Sequence, residues 1–169
     1  MKKLITEEKI KSRIKELGKA IQNDYQGKSP VLIGVMKGSF IFTADLARSI
    51  DGDVKIDFIE ASSYGESTIS SGNVRLSEID ENRIKDKDII LVEDIVDSGL
   101  TLNRIYSEIL LKNPASLKIC ALLVKKDKHE FSYDINYIGF EIEDRFVIGY
   151  GLDYKEKYRN LPYISVIED

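Results

Sequence analysis

The sequence is poor in the residues that most often carry metal or redox chemistry: among 169 residues there is one cysteine and one histidine. A lone thiol forms no intrachain disulfide, and Cys120 lies inside the apolar run KICALLV, where it reads as a buried small hydrophobe rather than a nucleophile. His129, in DKHEF, falls in a charged connection with no partner at metal-ligand spacing, so it reads as exposed and inert. No apolar stretch approaches the length of a membrane span, and the opening MKKLITEEKIK becomes charged again too soon for a secretory signal. Positive charge is also in short supply. Lys plus Arg number 25 against 29 Asp plus Glu, a net charge of −4, which argues against nucleic acid or a membrane as the main partner. These absences lead to the expectation of a cytoplasmic protein. Its length and 43% hydrophobic content suit one domain, residues 1–169, with a core of its own.

What is present is organised around residues 88–102, DIILVEDIVDSGLTL. Ile89, Ile90, Leu91 and Val92 form the short, continuous, β-branched run of a strand buried on both faces. Glu93 and Asp94 interrupt the run where the strand is expected to emerge from the sheet, and Asp97, Ser98, Gly99 and Thr101 follow. Leu102, Ile105 and Ile109 then recur at helical spacing. The polar turn therefore lies between a strand's carboxyl end and a helix's amino end, where open α/β sheets bind ligands. Backbone N–H groups at a helix start lack intrahelical partners and favour an anion, so Gly99 and its flanking hydroxyls make a cradle for one phosphate. Carboxylates beside it would repel that phosphate unless directed toward sugar hydroxyls or a divalent cation such as magnesium.

Other units follow the same plan. Residues 6–26 form an amphipathic helix with Ile10, Ile14, Leu17 and Ile21 on one face, Thr6 as cap and Gly27 as stop. VLIGVMKGSFIFTADLARSI reads as strand, Lys37–Gly38 turn and helix, with Phe40, Leu46, Ala47 and Ile50 available for the buried face. An ammonium and a backbone N–H at such a turn are able to hold pyrophosphate, although the residues alone better describe a solvated surface turn. Residues 54–61 alternate as a strand, and SSYGESTISSGN, residues 62–73, is long and rich in serine and glycine, either a linker or a flexible lid. SLKICALLVKK gives a further core strand ending near Lys125, and LPYISVI a last strand. Taken without further context, Lys125 is a solvated lysine, Phe146 a core aromatic and Asp153 a loop acid.

The stretch VEDIVDSGLT resembles the phosphoribosyl pyrophosphate motif of type I phosphoribosyltransferases, and FVIGYGLDY resembles the hypoxanthine-guanine branch nearly residue for residue. The resemblance runs from about Val31 to the last strand, with the motifs in order. It implies an α/β fold whose mostly parallel sheet is flanked by helices on both faces, with a small hood built from the termini and the segment after Lys125. It also implies an enzyme of purine salvage, which transfers phosphoribose from phosphoribosyl pyrophosphate to hypoxanthine or guanine and gives IMP or GMP plus pyrophosphate.

Carried onto this chain, the resemblance assigns Glu93, Asp94, Ile95 and Val96 to the phosphoribose. Asp97, Ser98, Gly99, Leu100 and Thr101 complete that loop around the 5′-phosphate, with Asp97 as the catalytic base. Lys37, Gly38 and Arg159 would meet pyrophosphate, with a cis bond between Met36 and Lys37. Lys125 would meet the 6-oxo group, while Arg145, Phe146 and Val147 hold the purine. Ser63 and Tyr64 would lie in the lid, and Glu93, Asp94 and Asp153 would hold Mg2+. A homodimer or homotetramer is implied. Two other readings stay open at this point: a regulatory binding module on the same fold, and a related enzyme acting on xanthine, adenine or a pyrimidine.

Overall fold

The computed structural model describes residues 1–63, 74–127 and 132–168. Strand β1 (Lys2–Ile5) leads into α1 (Glu7–Asp24), whose cap is Thr6: its hydroxyl accepts from the Lys9 N–H at 3.3 Å. Ile10, Ile14, Leu17 and Ile21 are all buried, as their spacing predicts. The chain continues through β2 (Val31–Met36), α2 (Phe40–Arg48), β3 (Lys55–Ser63) and β4 (Val74–Leu76). Then come β5 (Asp88–Val96), α3 (Leu100–Leu110), β6 (Ser116–Lys125), β7 (Tyr137–Ile142), β8 (Val147–Ile148) and β9 (Ile164–Val166).

Six strands form one sheet in the order β4-β3-β2-β5-β6-β7. Every pairing in it is parallel except β3 with β4. A parallel sheet needs both faces covered. One face carries α1 and α2, packed over Leu32, Ile90 and Leu122, and the other carries α3 over Ile33, Leu91 and Ile119. The strand order reverses between β2 and β5, so the loops after these two strands lie side by side at their carboxyl ends. Ligands bind at such a switch point.

A second, three-stranded sheet has the order β1-β9-β8 and is antiparallel throughout. The segment after Lys125 is therefore divided, with β7 extending the large sheet and β8 entering the small one. Val147, Tyr150, Leu152, Ile164 and Val166 share the core beneath α1 and α2, and the Tyr150 hydroxyl donates to Asp45 of α2.

Three local expectations are revised, and one strand was not anticipated. Phe40 opens α2 at 43% exposure, and Phe42, two positions on and four before Leu46, takes the buried place with it. β5 does not end at the paired acids but runs to Val96, because Glu93, Ile95 and Val96 keep their register with Ala121, Leu123 and Val124 of β6. β3 extends through Ser62 and Ser63, which pair with Arg75 and Val74, so the loop begins later than position 62. β1, too short and charged to show periodicity, is made by pairing with β9.

Candidate active site

The loop after β5 is shaped by Gly99, whose φ of +81° suits a residue without a Cβ. No side chain caps α3, and the nearest hydroxyl, Ser98 Oγ, accepts from the Leu100 N–H only at 3.4 Å. The amino end of this helix thus presents N–H groups toward the loop, with Thr101 half-buried in its first turn. Leu100 faces outward at 36% exposure, while Ile95 is half-buried and Val96 is buried.

Glu93 lies within the strand and is 7% exposed. Burial lifts its carboxyl well above the ordinary carboxylate range, and the charge of neighbouring Asp94 adds to that shift. One Glu93 oxygen accepts from the Asp94 N–H at 3.0 Å, and Asp94 Oδ1 accepts from the Ile95 N–H at 2.8 Å. The other Asp94 oxygen faces the turn after β2. There the Met36–Lys37 bond is cis, as the resemblance implied. Gly38 is held between two neighbours: a Cβ on it would stand 1.8 Å from Asp94 Oδ2, and a Cβ on Gly151 would stand 2.1 Å from the Gly38 carbonyl oxygen.

Gly151 leads to Arg159, whose Nη1 donates to the Gly151 carbonyl at 2.7 Å while the Gly151 N–H donates back to the Arg159 carbonyl at 2.9 Å. Arg159 Nη2 lies 3.3 Å from Asp153 Oδ1 and 3.2 Å from Glu156 Oε1. The second Glu156 oxygen accepts from Lys37 Nζ at 3.0 Å. Lys37 and then Arg159 hold the Glu156 carboxyl below its usual range. The two cations assigned to pyrophosphate are thus joined through one carboxylate, on a loop whose Lys155, Glu156 and Tyr158 all have positive φ.

At the end of β6 the Lys125 side chain is 7% exposed, contrary to a solvated lysine. Its ammonium donates to Asp97 Oδ2 at 3.1 Å and to Asp144 Oδ1 at 3.0 Å. Arg145 is exposed beside Glu143. Phe146 is not a core aromatic: it is 53% exposed and meets Tyr154 edge-on, with ring centroids 5.7 Å apart. Val147 is buried in β8, in register with Val166.

Asp144 and Glu156 were not singled out by the sequence reading. Each sits in a charged run, EIEDRF or DYKEKYRN, of the kind that reads as a solvated surface. Only the β6–β7 register, which sets Lys125 opposite Ile142, brings Asp144 over the lysine. Ser63 is placed as the last residue of β3, whereas Tyr64 and His129 lie outside the described residues. Cys120 is fully buried, and burial pushes its thiol far up. Among the described residues no three His, Cys, Asp or Glu side chains gather into a metal cage, and no helix is long and apolar enough to cross a membrane.

Polar loops at the carboxyl ends of parallel strands, converging at the switch point, define an α/β enzyme domain. Residues 2–155 match the phosphoribosyl transferase domain, and the chain belongs to that family. It is 44% identical over 167 residues to the hypoxanthine-guanine phosphoribosyltransferase of Bacillus subtilis, covering 99% of this chain and 93% of the relative. It is also 44% identical to the hypoxanthine phosphoribosyltransferase of Escherichia coli K12, covering 97% and 93%. The crystal structure of a hypoxanthine-guanine phosphoribosyltransferase from Bacillus anthracis superposes with a TM-score of 0.93 at 47% identity, covering 99% of each chain.

Proposed function

We propose that the chain transfers the phosphoribosyl group of phosphoribosyl pyrophosphate to a 6-oxopurine, hypoxanthine or guanine, in purine salvage. The observation that carries this reading is the 3.1 Å bond between Lys125 and Asp97. It joins the base end of the site to the ribose loop, so one carboxylate borders both substrates.

In the proposed step the purine N9 forms a bond to ribose C1 as the bond from C1 to pyrophosphate oxygen breaks. Asp97 takes the proton from N7. Positive charge develops on the ribose and negative charge on the leaving group. Preorganised polar groups serve both: Glu93 and Asp94 face the ribose hydroxyls, while Lys37, the Gly38 N–H and Arg159 face pyrophosphate. The loop from Asp97 to Thr101 holds the 5′-phosphate, with Ser98 and Thr101 offering hydroxyls. Lys125, which has only donors, selects a keto oxygen over an amino group at position 6. Phe146 offers an exposed ring face for the base, flanked by Arg145 and the backbone of Val147.

Glu93 and Asp94 also fit a magnesium site. Their two adjacent carboxylates supply hard oxygens of the kind magnesium takes, with substrate oxygens to complete its coordination. Bound there, Mg2+ would neutralise charge on the substrate's phosphates. Asp153, the third candidate, is engaged by Arg159 and by the Glu156 N–H at 2.8 Å. The lid that would exclude water is assigned to the segment that follows β3, starting at Ser63 and Tyr64, of which residues 64–73 lie outside the described residues, and the small sheet is the hood above the base. The protein works in the cytoplasm as a homodimer or homotetramer.

The test is product formation from phosphoribosyl pyrophosphate and magnesium with hypoxanthine, guanine, xanthine and adenine supplied separately. Turnover of hypoxanthine or guanine, lost when magnesium is omitted, is the expected result. Nucleotide binding without turnover of any base would instead identify a binding module.

A further inference from the structure

Asp144 belongs to no substrate contact assigned above, yet it grips the one lysine at the base end of the site. An ammonium has three N–H donors. Two of those on Lys125 are committed, to Asp97 at 3.1 Å and to Asp144 at 3.0 Å, which leaves one for an incoming acceptor. The lysine side chain is 7% exposed, whereas Asp97 and Asp144 are 46% and 58% exposed. The cation is thus fixed from two sides while both acids stay accessible from the solvent side.

We propose that Asp144 is a positioning residue: it aims the remaining donor of Lys125 at the 6-keto oxygen and prevents the ammonium from being held by Asp97 alone. The inference rests on the reading of Lys125 as the base-recognition lysine and Asp97 as the proton acceptor. A buried ammonium left with a single carboxylate would close onto it. Here that carboxylate must receive the N7 proton as N9 bonds to C1, so a closed Lys125–Asp97 pair opposes both base binding and proton transfer. Asp144 shares the charge and relieves that conflict. It also immediately precedes Arg145 and Phe146, so the segment that meets the purine is tied to the lysine that reads it.

The test compares wild type, Asp144→Asn and Asp144→Glu with hypoxanthine and with unsubstituted purine, which lacks the 6-oxygen. In Asp144→Asn the KM for hypoxanthine is expected to rise about tenfold, with that for phosphoribosyl pyrophosphate changed less than about twofold. Preference for hypoxanthine over purine, measured as competing ligands against guanine turnover, is expected to fall by about the same factor. Asp144→Glu is expected to restore part of both losses. An equal rise in KM for both substrates would overturn the proposal, as would an unchanged preference for hypoxanthine. Absence of turnover in wild type would overturn the underlying reading, and is seen before any variant is compared.

Discussion

The carboxylate of Asp94 fills the space above the α-carbon of Gly38, so closely that a methyl group there would lie 1.8 Å from Oδ2. The contact crosses between the loops of β2 and β5, and it locks the turn bearing Lys37 to the acids of the central strand. Gly151 closes the same stack from the other side, with its own Cα against the Gly38 carbonyl.

Gly38→Ala must therefore push Asp94 or the whole turn aside. A displacement of about an ångström in such a site costs roughly a hundredfold in rate. We expect kcat/KM for phosphoribosyl pyrophosphate to fall by about that factor, while circular dichroism shows a folded protein. Wild-type kinetics in Gly38→Ala would show that the contact has no functional weight.

Asp97→Asn keeps the side chain's size and removes its capacity to take a proton. Turnover is expected to fall by on the order of a hundredfold or more, with the dissociation constant for phosphoribosyl pyrophosphate changed less than about threefold. Equal losses in both would make Asp97 chiefly a binding residue.

Phe40, Ile56 and Phe58 are 43%, 49% and 53% exposed. Phe58 lies beside Gly34, over which Ser39 and Thr43 of the α2 segment pack, so β3 presents Ile56 and Phe58 on the α2 side of the sheet's edge. If the chain assembles as proposed, exposed apolar side chains of this size are where the subunit contact is expected. The double substitution Phe40→Asp and Phe58→Asp is expected to reduce the mass seen by light scattering to that of one chain. An unchanged oligomer would place the subunit contact elsewhere.

Burial pushes the Tyr25 phenol up to about 12. A folded-state value above the unfolded one means that the neutral phenol is favoured in the fold. Its stabilising contribution is whole below about pH 10 and is lost as pH rises through about 12. Tyr25→Phe is expected to flatten the fall in melting temperature across that alkaline window. An unchanged slope would mean that Tyr25 does not titrate with unfolding.

Cys120 is fully exposed to reagents only if the sheet opens, because it is buried in β6 between β5 and β7. A thiol reagent is expected to leave the native protein unmodified with activity intact, and to label it fully in denaturant. Rapid native labelling with loss of turnover would make the cysteine a functional group.

Much of this protein was legible before any coordinates. The strand, turn and helix units follow from local periodicity: buried positions of α1 and α3 repeat at helical spacing, and the β5 run is apolar because both of its faces are covered. The loop from Glu93 to Thr101 was legible for the same reason, since its acids, glycine and hydroxyls are contiguous in the chain. Phe40 and Phe42 show the limit of that reasoning, for two aromatics two positions apart cannot share a helix face and composition does not choose between them.

Tertiary structure decided what contiguity cannot encode. Strand register carries Asp144 to Lys125, parallel neighbours at the switch point press Gly38 against Asp94, and the loop after β8 curls back to set Glu156 between Lys37 and Arg159. It also made β1 a strand, by supplying β9 as its partner from the far end of the chain. Local pattern reports which side of an element faces the core. Which distant side chains then meet depends on register and packing, and these are set only when the two sheets and their helices close on one another.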